Sequence, residues 1–187
     1  MRVVSGIARG RPLKSVPGMG TRPTTDKVKE AIFSMIGPYF SGGVVLDLFA
    51  GTGALGIEAL SRGMDTGFFV DQEYKSIETI RANLRATGLA DRAEVYRNDA
   101  FRAIKTMAKR GLRFDLVFLD PPYKIKTMDA LLLTMQELSM IRSGCVIVIE
   151  HDARHHYPEV IGGLSLAKRG KYGDTAVSIY QFWSGDQ

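Results

Sequence analysis

The 187-residue sequence contains a single cysteine, Cys145. One thiol cannot form a disulfide within the chain, and the cysteine and histidine spacings typical of a zinc site are missing. Cys145 also stands in an apolar run, so we expect a buried, inert thiol rather than a nucleophile. The sequence therefore excludes a fold held together by disulfides, and we expect no metal site.

Long apolar runs are also missing. No stretch approaches the roughly 18 to 20 apolar residues needed to cross a bilayer, and the N-terminal residues have no apolar segment of signal-peptide length. With 45% hydrophobic and 24% charged residues, the composition is that of a globular protein rather than a disordered or coiled-coil chain. We predict a cytoplasmic protein without a membrane partner, and the length predicts one domain.

Basic residues outnumber acidic ones by 25 to 20. The excess is concentrated in the first 29 residues, where glycines and prolines up to residue 23 predict extended or looped backbone. A polyanion such as RNA would fit this charge, although scattered surface charge that only interacts with water explains it equally well. The basic residues of this segment are Arg2, Arg9, Arg11, Lys14, Arg22, Lys27 and Lys29, against the single acidic residue Asp26.

From residue 44 onward, short apolar runs alternate with amphipathic segments, a pattern typical of strands and crossover helices in a parallel sheet. Two alternating runs around a KYGD turn predict an antiparallel hairpin near the C-terminal end. We therefore predict an α/β fold: a doubly wound, Rossmann-like sheet with helices on both faces. A single domain (1–187) would consist of a basic N-terminal extension (1–23) and a cofactor-binding and catalytic core (24–187). The predicted strands are 44–49, 67–71, 93–99, 114–120 and 145–151, and the predicted helices are 24–36, a segment ending at 62, 72–88, 100–111 and 128–141.

Three glycines follow the first predicted strand as G-x-G-x-x-G: Gly51, Gly53 and Gly56. This spacing lets a ligand approach the backbone where a helix begins, but the motif alone is weak evidence. In a doubly wound sheet the loop would lie at the carboxyl edge of the strands, where ligands bind. Asp71 could accept hydrogen bonds from ribose hydroxyls, and Asp99 from an adenine amino group. These strand ends predict a site for an adenosine-containing ligand.

Asp47 helps to distinguish between such ligands, because it lies within the first strand, four residues before Gly51. A carboxylate there can bind the ammonium group of an amino-acid moiety, whereas it would repel a pyrophosphate. S-adenosylmethionine is therefore favoured over NAD, and a dehydrogenase is disfavoured. Asp47 could instead only accept hydrogen bonds from loop amides, and Asp71 and Asp99 could have simple turn roles.

The fourth predicted strand ends in Asp120-Pro121-Pro122-Tyr123. The prolines fix the backbone and remove two N–H donors, which leaves carbonyl groups as acceptors. An exocyclic amino group that donates to the Asp120 carboxylate and the Pro121 carbonyl would aim its lone pair at a sulfonium methyl group, while the base stacks on Tyr123. Such a transfer needs no metal, because alignment accounts for much of the acceleration. The segment predicts amino methylation of a nucleobase, although a rigid turn with a surface aromatic is the alternative.

The sequence resembles the class I S-adenosylmethionine-dependent methyltransferases of the amino-group type in VLDLFAGTGALGIEALSRG and DPPY. With RVVSGIARGRPLKS and TRPTTDKVKEAIFSMI, it further resembles the RsmD family, bacterial 16S rRNA guanine-N2 methyltransferases, from Arg2 to about Phe182. The resemblance implies a seven-stranded sheet with an antiparallel last strand. It also implies methylation of a guanine in small-subunit rRNA within partly assembled subunits, and a small enzyme of this kind is expected to be a monomer.

The same resemblance implies roles for particular residues, with Asp120 in both the catalytic and the cofactor sets. The catalytic residues would be Asp120, Pro121, Pro122 and Tyr123, and the residues that bind RNA phosphates would be Arg9, Arg11 and Arg22. The cofactor would contact Thr24, Thr25, Asp47, Phe49, Gly51, Thr52, Gly53, Asp71, Gln72, Asp99, Ala100 and Asp120.

Other functions share part of this pattern. A DNA adenine or cytosine amino methyltransferase generally adds a target-recognition domain, for which 187 residues leave little room. A protein glutamine methyltransferase more usually carries Asn at the position of Asp120. A non-catalytic RNA-binding assembly factor could keep only a cofactor-shaped pocket, but the intact Asp120 and glycines argue against it. His151, His155 and His156 predict a solvated loop after the fifth strand rather than a metal site.

Overall fold

The computed structural model describes residues 1–18 and 24–183. The chain divides into two compact units, Met1–Ala100 and Phe101–Gln187. Within the described residues, no helix is long and apolar enough to cross a membrane. The helices are α1 (Asp26–Ile36), α2 (Ala54–Ser61), α3 (Tyr74–Ala86), α4 (Ala100–Lys109) and α5 (Met128–Glu137), with a short 3-10 helix at Ala90–Arg92. The strands are β1 (Val44–Asp47), β2 (Thr66–Asp71), β3 (Ala93–Arg97), β4 (Phe114–Leu119), β5 (Ile141–Asp152), β6 (Val160–Ile161), β7 (Leu164–Tyr172) and β8 (Thr175–Phe182).

In the first unit, β2 pairs in parallel with β1 on one side and with β3 on the other. Asp47 lies opposite Phe69, and Asp71 lies opposite Arg97, so the carboxyl ends of the three strands share one edge. Helix α2 packs against β1 and β2, and α3 packs against β2 and β3. This is the strand–helix–strand arrangement that the alternating apolar runs predicted.

The N-terminal residues of the first unit contain no helix up to residue 18, as predicted, but they are not a free arm. Val3, Ala8 and Leu13 are buried. The Ala8 amide donates to Ser61 Oγ of α2 at 3.0 Å, and the Lys14 amide donates to Asn83 Oδ1 of α3 at 2.8 Å. The segment is therefore packed on the two helices that cover the parallel strands.

A buried carboxylate, Glu58 of α2, holds this segment in place. Its Oε1 and Oε2 accept hydrogen bonds from the Val4 and Ser5 amides at 2.9 and 3.0 Å. The same carboxylate forms ion pairs with Lys29 of α1 at 3.2 Å and with Arg62 Nε at 2.8 Å. A buried charge is tolerated only when it is paired and hydrogen-bonded, and here both cations and both amides meet that requirement.

In the second unit the strands run in the order β4, β5, β8, β7, β6. Strands β4 and β5 are parallel, and β8 returns antiparallel to β5 before β7 and β6 follow. The predicted α/β class and the C-terminal hairpin are confirmed, with the turn of the hairpin at Gly173 and Asp174. The expected count of seven strands is wrong, since eight are present in the described residues; β6 is only two residues long and leaves no alternation in the sequence.

Two predicted boundaries shift for physical reasons. Strand β1 ends at Asp47 rather than at residue 49, because Leu48 and Phe49 already form the turn that leads to the glycine loop. The helix predicted to reach residue 141 ends at Glu137, and Ser139 has a φ of 57°, which helical backbone cannot adopt. Strand β5 then begins at Ile141 and extends to Asp152. The expectation of a single domain over residues 1–187 stays a prediction.

We expect Glu58→Gln to destabilise the fold, because Lys29 then keeps only Asp26, at 3.8 Å, as a charged partner, and Arg62 loses its ion pair with residue 58. Breaking a buried pair costs about 3–5 kcal/mol. Only the oxygen of the Gln side chain can accept a hydrogen bond, so its NH2 group would face N–H donors, and we expect a loss within that range in urea unfolding. Trypsin should then cut faster after the exposed Arg9 and Lys14. Glu30→Gln, at an exposed position of α1, is the matched control and should stay within about 0.5 kcal/mol of the unsubstituted protein. An unchanged urea midpoint for Glu58→Gln would contradict this account.

Candidate active site

The glycine loop between β1 and α2 has the backbone that its sequence predicts. Gly51 and Gly53 have φ values of 56° and 81°, in the left-handed region that favours glycine. A Cβ atom added at Gly51 would meet no other atom within 4 Å, so the loop is open on that side. At Gly56 a Cβ atom would lie 2.4 Å from the ring of Phe69, so this glycine lets α2 pack closely on β2.

Asp47 and Asp71 meet the glycine loop from the ends of β1 and β2. The buried Asp47 accepts a hydrogen bond from the Gly56 amide at 3.0 Å, in the first turn of α2. Asp71 accepts from the Gly51 amide through Oδ2 and from the Glu73 amide through Oδ1, both at 2.9 Å. Each carboxylate oxygen can accept more than one hydrogen bond, so these contacts position the carboxylates without excluding a ligand. The loop-amide role considered for Asp47 is thus present.

The remaining predicted cofactor residues of the first unit lie at the start of α1, in the turn and loop after β1, and just after β2 and β3. Thr25 caps α1, where its Oγ1 accepts from the Val28 amide at 3.2 Å. Thr52 Oγ1 accepts from the Ala54 amide at 3.2 Å. Gln72 and Asp99 are exposed just after β2 and β3, and Ala100 is buried as the first residue of α4. Thr24 and Phe49 are half-buried. These assignments to a cofactor stay predictions.

Asn83 of α3 was missed by the sequence-based prediction. Its Nδ2 donates to the carbonyl of Thr52 at 2.9 Å and to that of Lys14 at 3.1 Å, so it joins the glycine loop to the N-terminal segment. The residue is 1% exposed. One signal could have revealed it: Asn83 falls on the apolar face of a predicted helix, three residues after Ile80.

Two of the three predicted RNA-binding arginines, Arg9 and Arg11, are exposed on the N-terminal segment. The Arg11 guanidinium also donates to the carbonyl of Ala86 at 3.2 Å, at the end of α3. Arg22 lies outside the described residues. Exposure is consistent with phosphate binding but does not test it.

The Asp-Pro-Pro-Tyr segment lies in the second unit, directly after β4. Pro121 is buried, while Pro122 and Tyr123 are exposed, with 46% of Tyr123 accessible. The Pro122 carbonyl accepts from the Ile125 amide at 2.9 Å and closes a turn, so it is already used within the chain. Tyr123 Oη lies 2.7 Å from Thr175 Oγ1 at the start of β8. This hydrogen bond fixes the exposed ring, and no sequence signal indicates it, since the partners are 52 residues apart.

The prediction of a solvated histidine loop is wrong for His151. This residue is the penultimate residue of β5 and is 4% exposed. Its Nδ1 lies 2.9 Å from the Asp152 carbonyl and must donate to it, so Nε2, 2.8 Å from Ser178 Oγ, is the acceptor. Burial lowers the pKa of His151 below its ordinary value, against the opposing effect of the Asp152 carbonyl. His151 is therefore neutral at pH 7, and its two nitrogens serve the fold.

His155 is half-buried and His156 is exposed in the segment after β5, which is not helical. In the described part of the chain, no group of three His, Cys, Asp or Glu side chains is placed to hold a metal ion. Cys145 is 1% exposed, and burial raises the pKa of its thiol, so it stays protonated. The predicted burial of Cys145 is confirmed.

Comparison with solved structures defines the fold class. The structure described as "Putative methyltransferase yhhF from Escherichia coli" superposes with a TM-score of 0.82 at 30% identity, covering 98% of each chain. An RNA methyltransferase from Salinibacter ruber, crystallised with S-adenosyl-L-homocysteine, gives a TM-score of 0.65 over 89% of this chain and 97% of its own. At 17% identity this second match shows the fold alone. The chain thus has the Rossmann-like fold of the S-adenosylmethionine-dependent methyltransferases.

Sequence comparison defines the family. The family model "Conserved hypothetical protein 95" matches residues 1–181, and the chain belongs to this family. It is 53% identical to "Putative rRNA methyltransferase YlbH" of Bacillus subtilis, over 97% of this chain and 98% of that protein. It is 30% identical to "Ribosomal RNA small subunit methyltransferase D" of Escherichia coli K12, over 97% of this chain and 89% of that protein. The predicted membership of the RsmD family is confirmed.

The buried, neutral His151 predicts a pH dependence of stability. Because its pKa is lower in the folded state, the unfolded chain binds more protons near and below pH 6.5, so stability is lost as the pH falls through this value. The melting temperature should therefore fall more steeply between about pH 7.5 and 5.5 in the unsubstituted protein than in His151→Asn. The exposed His156→Asn is the control and should keep the original slope. Equal slopes for all three proteins would refute the assignment.

Proposed function

We propose that this protein transfers a methyl group from S-adenosylmethionine to the exocyclic N2 amino group of a guanine in small-subunit ribosomal RNA. The observation that carries the proposal is the segment after β4, where Asp120 and Pro121 precede an exposed tyrosine that Thr175 holds at 2.7 Å. The names of the relatives in Bacillus subtilis and Escherichia coli, both rRNA methyltransferases, support RNA as the acceptor. The second of these names supports the small subunit.

The first unit supplies groups that suit the cofactor. The open side of Gly51 gives a ligand access to the backbone, and the Asp47 carboxylate can attract the ammonium group of a methionine moiety. Asp71 is held by the Gly51 and Glu73 amides and keeps acceptor capacity for ribose hydroxyls. Structures of similar fold contain S-adenosylhomocysteine, the product that such a transfer leaves. When bound, S-adenosylmethionine supplies an electrophilic methyl group on a sulfonium, with a neutral thioether as the leaving group.

The second unit supplies groups that suit the acceptor base. The amino group of guanine is a poor nucleophile because its lone pair is delocalised into the ring. Donation of its two hydrogens to the Asp120 carboxylate and the Pro121 carbonyl turns that lone pair toward the methyl group. On methylation the amino nitrogen would lose one proton, which the Asp120 carboxylate or water would accept. Tyr123 offers a ring for the unpaired base, and stacking of this kind stabilises binding by about 1–3 kcal/mol.

The proposal also covers the state of the substrate, the location of the protein, its oligomeric state and its need for a metal ion. A guanine in a partly assembled small subunit is unpaired or accessible before the subunit closes around it. Ribosome assembly takes place in the cytoplasm, so we place the protein there. We propose that it acts as a monomer and without a metal ion.

The test is a methyl-transfer assay with radiolabelled S-adenosylmethionine on small subunits from unmodified cells, naked rRNA and duplex DNA. We expect label as N2-methylguanosine in small-subunit rRNA. Label in DNA instead would move the assignment to a DNA amino methyltransferase. Binding of S-adenosylhomocysteine and RNA without transfer to any substrate would move it to a non-catalytic assembly factor.

We expect Asp120→Ala to lower the transfer rate by at least about a hundredfold, because loss of one preorganised hydrogen-bonding group at a reacting centre costs about 10²–10³ in rate. S-adenosylhomocysteine affinity, measured by calorimetry, should stay within a few-fold of the original value. Asp115→Ala removes a carboxylate from β4, the strand that precedes Asp120; Asp115 pairs with Arg142 at 3.9 Å, and its loss should leave the rate unchanged. An Asp120→Ala enzyme with the original rate would rule out the amino-group mechanism.

Gly51→Ala should weaken cofactor binding through the methyl group that it adds on the open side of the loop. Gly88→Ala is the matched control, because Gly88 also has a positive φ, 73°, and its added Cβ atom would likewise meet nothing within 4 Å. Both substitutions should cost about 1–2 kcal/mol of stability for left-handed backbone. We expect only Gly51→Ala to raise the dissociation constant for S-adenosylhomocysteine, by about tenfold or more. Equal affinities of the two variants for S-adenosylhomocysteine would show that the cofactor does not bind at this loop.

A further inference from the structure

The β7–β8 hairpin carries a second tyrosine, Tyr172, close to Thr175, the residue that contacts Tyr123. Tyr172 is the last residue of β7 and pairs across the hairpin with Thr175, the first residue of β8. Side chains of directly paired residues point to the same face of a sheet. Because the Thr175 hydroxyl contacts Tyr123 at 2.7 Å, Tyr172 and Tyr123 belong to the same face of the hairpin.

The side chain of Tyr172 extends over Gly170 of its own strand. A Cβ atom added at Gly170, two residues earlier on the same face, would lie 2.8 Å from Tyr172 Oη and 2.9 Å from its Cε2. The ring therefore covers the Gly170 backbone, and it can do so because glycine has no side chain. A glycine inside a strand weakens the strand and often marks a place where another group must approach closely. Tyr172 itself is half-buried, so part of the ring remains accessible.

The exposed charged residues around the two tyrosines are mostly basic, whereas Glu150 and Asp152, the acidic residues on the same face of the neighbouring strand β5, are buried. Lys168 shares the face of Gly170 and Tyr172, and Lys171 is exposed next to Tyr172. Lys124 and Lys126 are exposed just after Tyr123. Asp174, in the turn, is the acidic residue of the hairpin tip. Aromatic rings combined with a basic groove are the features that bind single-stranded nucleic acid, because bases stack on the rings and cations neutralise phosphates.

We infer that Tyr172 is a second stacking platform, which binds an unpaired RNA base next to the target nucleotide held at Tyr123. This inference rests on the proposed function, since it takes the role of Tyr123 from it. It adds a binding residue on the β7–β8 hairpin, and it assigns Gly170 the role of seating the ring. The ligand is a single-stranded segment of RNA, bound through base stacking and through phosphates at the neighbouring lysines.

The experiment measures the affinity of a fluorescently labelled single-stranded RNA, about ten nucleotides long with one guanine, by anisotropy at fixed salt. Tyr172→Ala should weaken binding by about 5- to 150-fold, the range that corresponds to loss of one stacked base. Tyr172→Phe should bind within about twofold of the original protein, because stacking does not need the hydroxyl. In the transfer assay, Tyr172→Ala should raise KM for RNA and leave kcat nearly unchanged.

Gly170→Ala tests the same inference without changing the tyrosine. The added methyl group must displace the far end of the Tyr172 side chain, which the fold tolerates, so we expect weaker RNA binding with a nearly unchanged melting temperature. Trp183→Ala is the control: this exposed aromatic follows the opposite end of β8, about 26 Å away at the usual rise per strand residue. It should bind RNA as the original protein does.

Two results would overturn the inference. In the first, Tyr172→Ala and Gly170→Ala both bind RNA within twofold of the original protein, so the ring only shields the glycine backbone. In the second, Tyr172→Phe loses as much affinity as Tyr172→Ala, so the hydroxyl and not the ring matters. Failure of the proposed function is a separate result, because it would appear as absence of methyl transfer by the unsubstituted protein, whatever its affinity for RNA.

Discussion

Parallel pairing of β1, β2 and β3 is the constraint on which the candidate cofactor site depends. Parallel strands end at the same edge, so residues that are distant in sequence, Asp47 and Asp71, reach one loop. The loop in turn depends on them, because the Gly56 amide donates to Asp47 and the Gly51 amide donates to Asp71. The site is thus held by hydrogen bonds that exist before any ligand binds, which lowers the ordering cost of binding.

The same preorganisation extends from the loop to the N-terminal segment. Asn83 binds the carbonyls of Thr52 and Lys14, while Glu58 binds the Val4 and Ser5 amides and the buried Lys29. Each of these polar side chains satisfies backbone groups of a segment that has no regular secondary structure. Such groups would otherwise be costly to bury. The first unit therefore uses buried polar residues to fix irregular backbone, and apolar residues to pack its strands and helices.

The parts of this protein that the sequence predicts well are those encoded locally. Apolar alternation gave the α/β class, and the positive φ values of Gly51 and Gly53 follow from the motif that contains them. Contacts between distant segments leave no such pattern. Thr175 looks like an ordinary strand residue, and only the fold brings its hydroxyl to Tyr123, 52 residues earlier. His151 was misplaced for a related reason, because β5 continues past its apolar run and pairs with β8 as far as Asp152.

Among the described residues, Arg11 and Lys171 are attached to backbone that the fold holds in place, and this would affect how they bind the RNA proposed above. Arg11 sits on a segment whose Val3, Ala8 and Leu13 are buried, and Lys171 sits on a strand paired with β8. A disordered basic arm loses conformational entropy when it binds, whereas these side chains lose only their own rotamer freedom. Beyond Ser165, β7 has no strand partner on the side away from β8 in the described residues. The exposed Lys168 and Lys171 of this stretch also discourage pairing with the strands of other molecules, so the charge has a use in the free protein. The strand edge that must stay unpaired and the RNA-binding surface proposed above thus both require lysines, and one set of lysines meets both requirements.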